Sequence, residues 1–503
     1  MDYRRHIRLV LFAFFSQGIF FLRNILMLPI LGRCLGPEQF GLWGKIQIIG
    51  QIVSSMTSLG TLEGMGRYIP AAESRQKLVL LTAAVAVICV SGAIVTAALA
   101  IGAGLIAPFL LTPTTAEAHA APRLLAAIGF MAILGNLGQA STNFYLLSDR
   151  PRIYGAMMFL QIVVLLAAAL GLAPWIKQSI WLPILAWSIA PAVTAALALS
   201  LSASTGMLSI PPFRPCASAA QQMISYGLPL LPSGIILAIH HGAGRYLITI
   251  LRHDLGNDAV GVYTVHYALA GLIAMAFSPF FLFYQPAVAR LWDSGERAAA
   301  GHLTRQTLKY AMITSLPLCA GAPAWADAGA RLAAGQNFAA PWGVIFFAML
   351  AYFLQMVGYF AEVPLQMEKR TSRIMAYYLI SAAVAVVASI ALISCLEGNS
   401  ALIGAAAGAA LGFGCNLLLH ILTCRRLAPG WLDITVCFKA MLAAAAGASA
   451  ARLIGMTTLS SAALALAFAA VAYLGLLFLL GVITRQEAKI FWEAMRLARR
   501  QRK

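Results

Sequence analysis

Residues Phe20–Lys45 read FFLRNILMLPILGRCLGPEQFGLWGK. An apolar span with a single charge, Arg23, beside Asn24, runs through Pro29 to a break at Leu35-Gly36-Pro37-Glu38. It re-enters at Phe40-Gly41-Leu42-Trp43. The pattern returns 220 positions later without a gap. Leu251, Leu255, Gly256, Asp258, Val260, Gly261, Val262 and Tyr263 stand where the first copy has Leu31, Leu35, Gly36, Glu38, Phe40, Gly41, Leu42 and Trp43. Another apolar span with its own lone Arg245 precedes the second copy. Arg152-Ile153 and Arg373-Ile374, 221 positions apart, extend the correspondence. The chain therefore reads as one helical unit used twice.

The solvent for this unit is lipid. Of 503 residues, 61% are hydrophobic and 10% charged, with a mean hydropathy of +0.83, whereas a soluble domain carries roughly 25% charged residues. The net charge of +18 resides in short clusters at the ends of apolar runs, the distribution of a membrane protein. No polar segment is long enough for a nucleic-acid-binding domain, so nucleic acid is excluded as a partner. Eight scattered cysteines without a CxxC pair imply neither a disulfide framework nor a metal site. The start, Arg4-Arg5-His6-Ile7-Arg8 followed by a long apolar run, imitates a signal peptide. It lacks an Ala-x-Ala end and is read as an uncleaved first span.

At about 20 apolar residues per span, the spacing predicts fourteen spans. They fall near 8–32, 40–62, 78–104, 122–147, 153–173, 180–202, 224–250, 260–285, 306–326, 341–366, 374–394, 401–423, 436–455 and 460–483. The fold class is thus all-α and polytopic. The expected units are residues 1–210 (spans one to six), 211–425 (spans seven to twelve) and 426–503 (two further spans and a basic tail). Most Lys and Arg residues fall on the side shared by the termini, which places both termini in the cytoplasm. The tail alternates Ile490, Phe491, Met495 and Leu497 with Lys489, Arg496 and Arg499. That pattern suits an amphipathic helix on anionic membrane lipid, and equally a basic end that only fixes topology.

A charge inside a span costs at least ~2.5 kcal/mol, so Arg23 and Arg245 must face protein, water or a ligand. His241 and Arg245, four apart, share a helix face, and Gly242 and Gly244 between them allow close approach. Two always-charged guanidiniums, one from each half, suit a phosphate or diphosphate. The competing readings are snorkelling outward and an ion pair with a neighbouring carboxylate, for which the nearest candidates, Glu63 and Glu362, lie toward span ends. Polar stripes run along Gln47-Gln51-Ser54-Ser58, Asn136-Gln139-Asn143 and Gln355-Tyr359-Glu362-Gln366. Such stripes line a cavity or bond neighbouring helices together. The expected binding residues are Arg23, Asn24, Gln51, Asn143, His241 and Arg245. No P-loop, HExxH or nucleophile elbow occurs, so a transporter without cofactor or metal is expected rather than an enzyme.

The run Pro29-Ile30-Leu31-Gly32-Arg33-Cys34-Leu35-Gly36-Pro37-Glu38-Gln39-Phe40-Gly41-Leu42-Trp43, with Ser58-Leu59-Gly60-Thr61-Leu62-Glu63 and Arg67-Tyr68, resembles bacterial polysaccharide-export proteins. These are the Wzx-type lipid-linked oligosaccharide flippases of the multidrug/oligosaccharidyl-lipid/polysaccharide superfamily. The resemblance is strong over spans one and two and elsewhere rests on hydropathy and length. It implies a V-shaped bundle pair in the bacterial inner membrane. The implied substrate is an undecaprenyl-diphosphate-linked glycan, moved from the cytoplasmic to the periplasmic leaflet for O-antigen, capsule or exopolysaccharide synthesis. Polysaccharide polymerase and chain-length machinery are the implied partners. In the related lipid II flippases, arginines on the first and seventh helices face the cavity, and Arg23 and Arg245 fall in matching places. Asn24 stands where that branch tends to be acidic, which weakens ion coupling there. The alternatives are a cation-coupled exporter of the same superfamily, a membrane glycosyltransferase or polymerase, and a silent assembly partner.

Overall fold

The break expected at Leu35–Glu38 is a kink at one residue. A computed structural model describes residues 3–70, 72–110, 115–175, 179–204, 213–368, 370–424, 433–454 and 459–487. In it α1 runs Tyr3–Ser58 and is interrupted only at Gly36, with φ 71° and ψ 173°. Gly256, its counterpart in the second copy, has φ 63° and ψ −170°. That backbone region belongs almost solely to glycine, so the sequence repeat reproduces one backbone event twice.

After the kinked helix come α2 (Thr61–Tyr68), α3 (Ser74–Ile101), α4 (Ala103–Leu110), α5 (Thr115–Leu147), α6 (Pro151–Leu172) and α7 (Trp181–Ser204). The second half holds α8 (Phe213–Gly227), α9 (Leu231–Leu251), α10 (Gly256–Ala270), α11 (Leu272–Asp293), α12 (Arg297–Ala334), α13 (Gly343–Met367), α14 (Thr371–Cys395) and α15 (Ala401–Cys424). Two further helices follow, α16 (Ile434–Ile454) and α17 (Leu459–Leu479). No strand occurs among the described residues.

Nine of the described segments are long and apolar enough to cross a membrane. The remaining expected spans fall on α1, which carries two across its kink, and on α12, α16 and α17. Lipid-facing character is plain on α3, where Val90, Ile94 and Ile101 are exposed. The chain is a multi-pass membrane protein. The basic residues from Lys489 onward, expected on anionic lipid, lie outside the described residues. All eight cysteines are free.

The two copies of the motif pack against each other. A Cβ on Gly41 would collide with the Asn257 carbonyl oxygen and the Gly261 nitrogen, and one on Gly261 with the Pro37 carbonyl and the Gly41 nitrogen. Since Asn257 follows Gly256 as Pro37 follows Gly36, the contact is reciprocal, as in an isologous dimer interface. A second bundle-to-bundle contact lies at the far end of the kinked helix. Gly60 and Gly227 meet there backbone to backbone, beside Tyr68 and Tyr226 with ring centroids 5.9 Å apart.

Small residues set the closest helix packing. Gly404, Gly408 and Gly412 on α15 leave no room for a methyl against Leu392, Ser389 and Ala385 of α14, the small-xxx-small pattern of membrane helices. The last two helices dock on the outside of α12, where the Tyr473 hydroxyl donates to the Ile313 carbonyl at 2.7 Å.

Candidate functional site

Arg245 projects from α9 into space between the bundles and is 6% exposed. Its Nε donates to Thr264 Oγ1 at 3.1 Å and its Nη1 to the His241 carbonyl at 3.2 Å. Its Cζ lies 5.3 Å from the centroid of the Tyr267 ring. Among the described residues Nη2 donates no hydrogen bond, and no carboxylate lies within 4 Å. The guanidinium is thus positioned by neutral partners and keeps donors for an anion, and the competing ion-pair reading does not apply to Arg245.

Around it stand His241, Tyr267 and Tyr352. His241 Nδ1 is 2.8 Å from the Tyr267 hydroxyl, its Nε2 is 3.0 Å from Gln355 Nε2, and its ring stacks on Tyr352 at 5.1 Å. Gln47 and Gln51 from the second half of α1 close the space opposite, in two adjoining cavities of about 290 and 190 Å³. His240, the neighbour of His241, has a different role: it stacks on Phe413 at 3.6 Å and lies 3.3 Å from the Ala409 carbonyl, packed against α15.

Arg23 does not share these cavities. It lines a separate space of about 600 Å³ inside the N-terminal bundle, together with Asn143, and its Cζ lies 6.0 Å from the Trp187 ring centroid. Trp187 of α7 lines both this space and the one holding Arg245, and it packs on Trp43 at 5.1 Å. The two arginines therefore flank one tryptophan instead of converging in one pocket. Below Arg23 on the same helix, Met27, Leu28 and Leu31 line the Arg245 cavity and Gly32 meets Ala334 of α12, so α1 borders both spaces before its kink. The side chain of Asn24 lies outside the described residues.

The polar stripes divide by role. Gln47 and Gln51 face the Arg245 cavities, and Ser54, Gln139 and Asn143 face the N-terminal space. The stripe on α13 is mostly structural: Gln355 donates to Tyr359 at 3.0 Å, and Gln366 donates to Glu362 at 2.7 Å. Glu362 also accepts from the Tyr378 hydroxyl at 2.9 Å, with His420 Nε2 3.9 Å away. Sequence reasoning missed Trp187, Tyr267 and Tyr352, which look like ordinary span aromatics. Lys45, inside the second expected span, is wholly buried.

Two repeated helical bundles meeting at both ends and enclosing polar cavities define a multi-pass protein built like a membrane transporter. Residues 8–292, more than half of the chain, match the family described as polysaccharide biosynthesis protein, and the chain belongs to that family. No curated protein matches it. Its fold is similar to that of the lipid II flippase MurJ in an inward closed conformation (TM-score 0.69, 10% identity, 97% of this chain and 99% of that one). It is also similar to the MATE multidrug transporter DinF-BH (TM-score 0.62, 16% identity, 87% and 97%). An inward-facing MATE family transporter of the MOP superfamily matches as well (TM-score 0.61, 13% identity, 83% and 95%).

Proposed function

We propose that the protein is a flippase that carries an undecaprenyl-diphosphate-linked oligosaccharide from the cytoplasmic to the periplasmic leaflet for surface polysaccharide synthesis. The observation that carries this reading is Arg245: a buried guanidinium between two bundles, held by neutral groups and keeping an unused donor. A diphosphate is the ligand such a group selects. His241 and Gln51 extend the polar wall, Arg23 approaches from the other side of Trp187, and Asn143 lies further into the N-terminal bundle. The membership in a polysaccharide biosynthesis family supports a glycan cargo.

Transport follows from the two closures. The bundles touch at the kinks and at Gly60–Gly227; parting one contact while keeping the other exposes the cavities to one side at a time. The head group crosses within the protein and the prenyl chain stays in lipid. An inside-negative potential favours outward movement of the anion by ~2.3 kcal/mol per charge per 100 mV. The test is leaflet translocation in proteoliposomes, comparing wild type with an Arg23→Gln/Arg245→Gln variant. Transport by wild type and its loss in the folded variant are expected; equal transport by both would discard the arginine mechanism.

A second reading, a cation-coupled exporter, draws on one observation, the buried Glu362 beside Tyr378 and His420. Efflux of a small cation by wild type, abolished by Glu362→Gln, with no lipid translocation, would favour it.

A further inference from the structure

The N-terminal space has a lining of its own character. Four carboxamides border it, and they are not alike. Asn136 is saturated: its Oδ1 accepts from Ser54 Oγ at 2.7 Å, and its Nδ2 donates to the Ser54 carbonyl at 2.8 Å and to Thr57 Oγ1 at 2.6 Å. It ties α5 to α1. The side-chain amides of Gln139, Asn143 and Gln161 make no hydrogen bond among the described residues. Gln139 and Asn143 are one turn apart on α5, Gln161 comes from α6, and the Trp187 ring enters from α7. Gln139 is exposed and Asn143 and Gln161 are half-buried, so their amide groups are open to the space and available to a polar ligand.

Each carboxamide offers two N–H donors and a carbonyl acceptor. That combination matches a hydroxyl or acetamido group, which both donates and accepts. Among the described residues its one charge is the guanidinium of Arg23, and the carboxylate of Glu63 lines an adjoining space that Gln139 and Asn143 also border. An indole ring offers an apolar face to the C–H face of a pyranose.

We propose that this space is the sugar compartment of the transport site. Gln139, Asn143 and Gln161 hydrogen-bond neutral sugar residues next to the diphosphate, and Trp187 stacks on one of them. Because Trp187 also borders the cavity of Arg245, the ring marks the junction between sugar and diphosphate. This inference rests on the flippase reading and adds a division of labour: charge recognition at Arg245, sugar recognition within the N-terminal bundle.

The experiment is native mass spectrometry of the full chain in a detergent without a sugar head group. Undecaprenyl diphosphate is compared with undecaprenyl diphosphate bearing a neutral N-acetylhexosamine disaccharide. Wild type should bind the glycosylated lipid about tenfold or more tightly than the bare one. A Gln139→Leu/Gln161→Leu variant that melts like wild type should lose that preference; should the double variant not fold, each single substitution should reduce it. No preference in wild type, or a preference retained by the variants, overturns the sugar compartment and leaves the flippase reading standing. Failure of the flippase reading looks different: neither lipid binds wild type, and the inference falls with it. Tight binding of the free disaccharide, with no contribution from the lipid diphosphate, would make this a soluble-sugar site and also overturn the proposal.

Discussion

Lys45, wholly buried in the first copy of the repeat, donates a 2.9 Å hydrogen bond to Oδ1 of Asn257 in the second. The position equivalent to Lys45 in the second copy is the buried Val265, so a single ammonium serves both halves of an otherwise symmetric contact. Removing an acceptor from a buried ammonium costs about 1–3 kcal/mol. Asn257→Leu should therefore lower the melting temperature in detergent. Replacing both partners, Lys45→Met with Asn257→Leu, should recover part of the loss, because an apolar pair leaves no charge stranded. A double variant as unstable as the sum of the singles would show that the two residues do not act as a pair.

The repeat glycines should fail for two different reasons. Gly36 and Gly256 have open space where a Cβ would go but sit at φ 71° and 63°. Alanine there costs about 1–3 kcal/mol through the backbone alone. Gly41 and Gly261 have ordinary helical placement and no room, since each would strike the other copy's backbone. Alanine at either should force the kink end apart at a similar cost. Cysteine-accessibility labelling separates the cases: Gly261→Ala should expose a cysteine placed at Val260 to aqueous reagent, and Gly36→Ala should expose it less.

Arg245→Lys should not substitute fully for arginine. A lysine keeps the charge but loses the planar fork that lets Nε bond Thr264 while other nitrogens face the cavity. Transport should fall by about tenfold or more for Arg245→Lys, and further for Arg245→Gln, measured as initial translocation rate at equal protein density. Equal rates for lysine and arginine would mean that a point charge suffices.

Below α17, Glu487 clamps the chain to α12. Burial alone would push its carboxyl up. Hydrogen bonds from Lys309 at 2.8 Å, the Thr484 amide at 2.8 Å, the Tyr310 hydroxyl at 2.7 Å and the Thr484 hydroxyl at 2.9 Å instead hold it at about 2. A depressed carboxylate stabilises the folded state above its unfolded value near 4.3, and that contribution is lost as pH falls toward about 2. Because the group is partly exposed, the gain is about 1 kcal/mol or less. Wild type should melt above Glu487→Gln at pH 6, with the difference shrinking to nothing as pH approaches 2. A pH-independent difference would assign the effect to packing.

The duplicated motif was legible in the sequence because it encodes a backbone conformation: glycine at 36 and 256 is required by φ and ψ, whatever surrounds it. The shared face of His241 and Arg245 was legible from helical spacing. The placement of Arg23 in a space apart from that of Arg245 was not, because spacing gives depth along a helix but not which cavity a side chain enters. Neither was the split between His240 and His241, which turns on Phe413, far along the chain. Stripes of Gln and Asn look identical whether they bond a neighbouring helix, as Asn136 bonds Ser54 and Thr57, or face a cavity, as Asn143 does.

The most direct test concerns Arg245 itself. Binding of undecaprenyl diphosphate and of uncharged undecaprenol should be measured on wild type and Arg245→Gln in the same detergent. A charge-assisted hydrogen bond of about 1.5–3 kcal/mol predicts diphosphate binding weakened about 10- to 100-fold in the variant, with undecaprenol binding the same in both. Equal diphosphate affinity in the two proteins would contradict the assignment of Arg245 as the group that holds the substrate's charge.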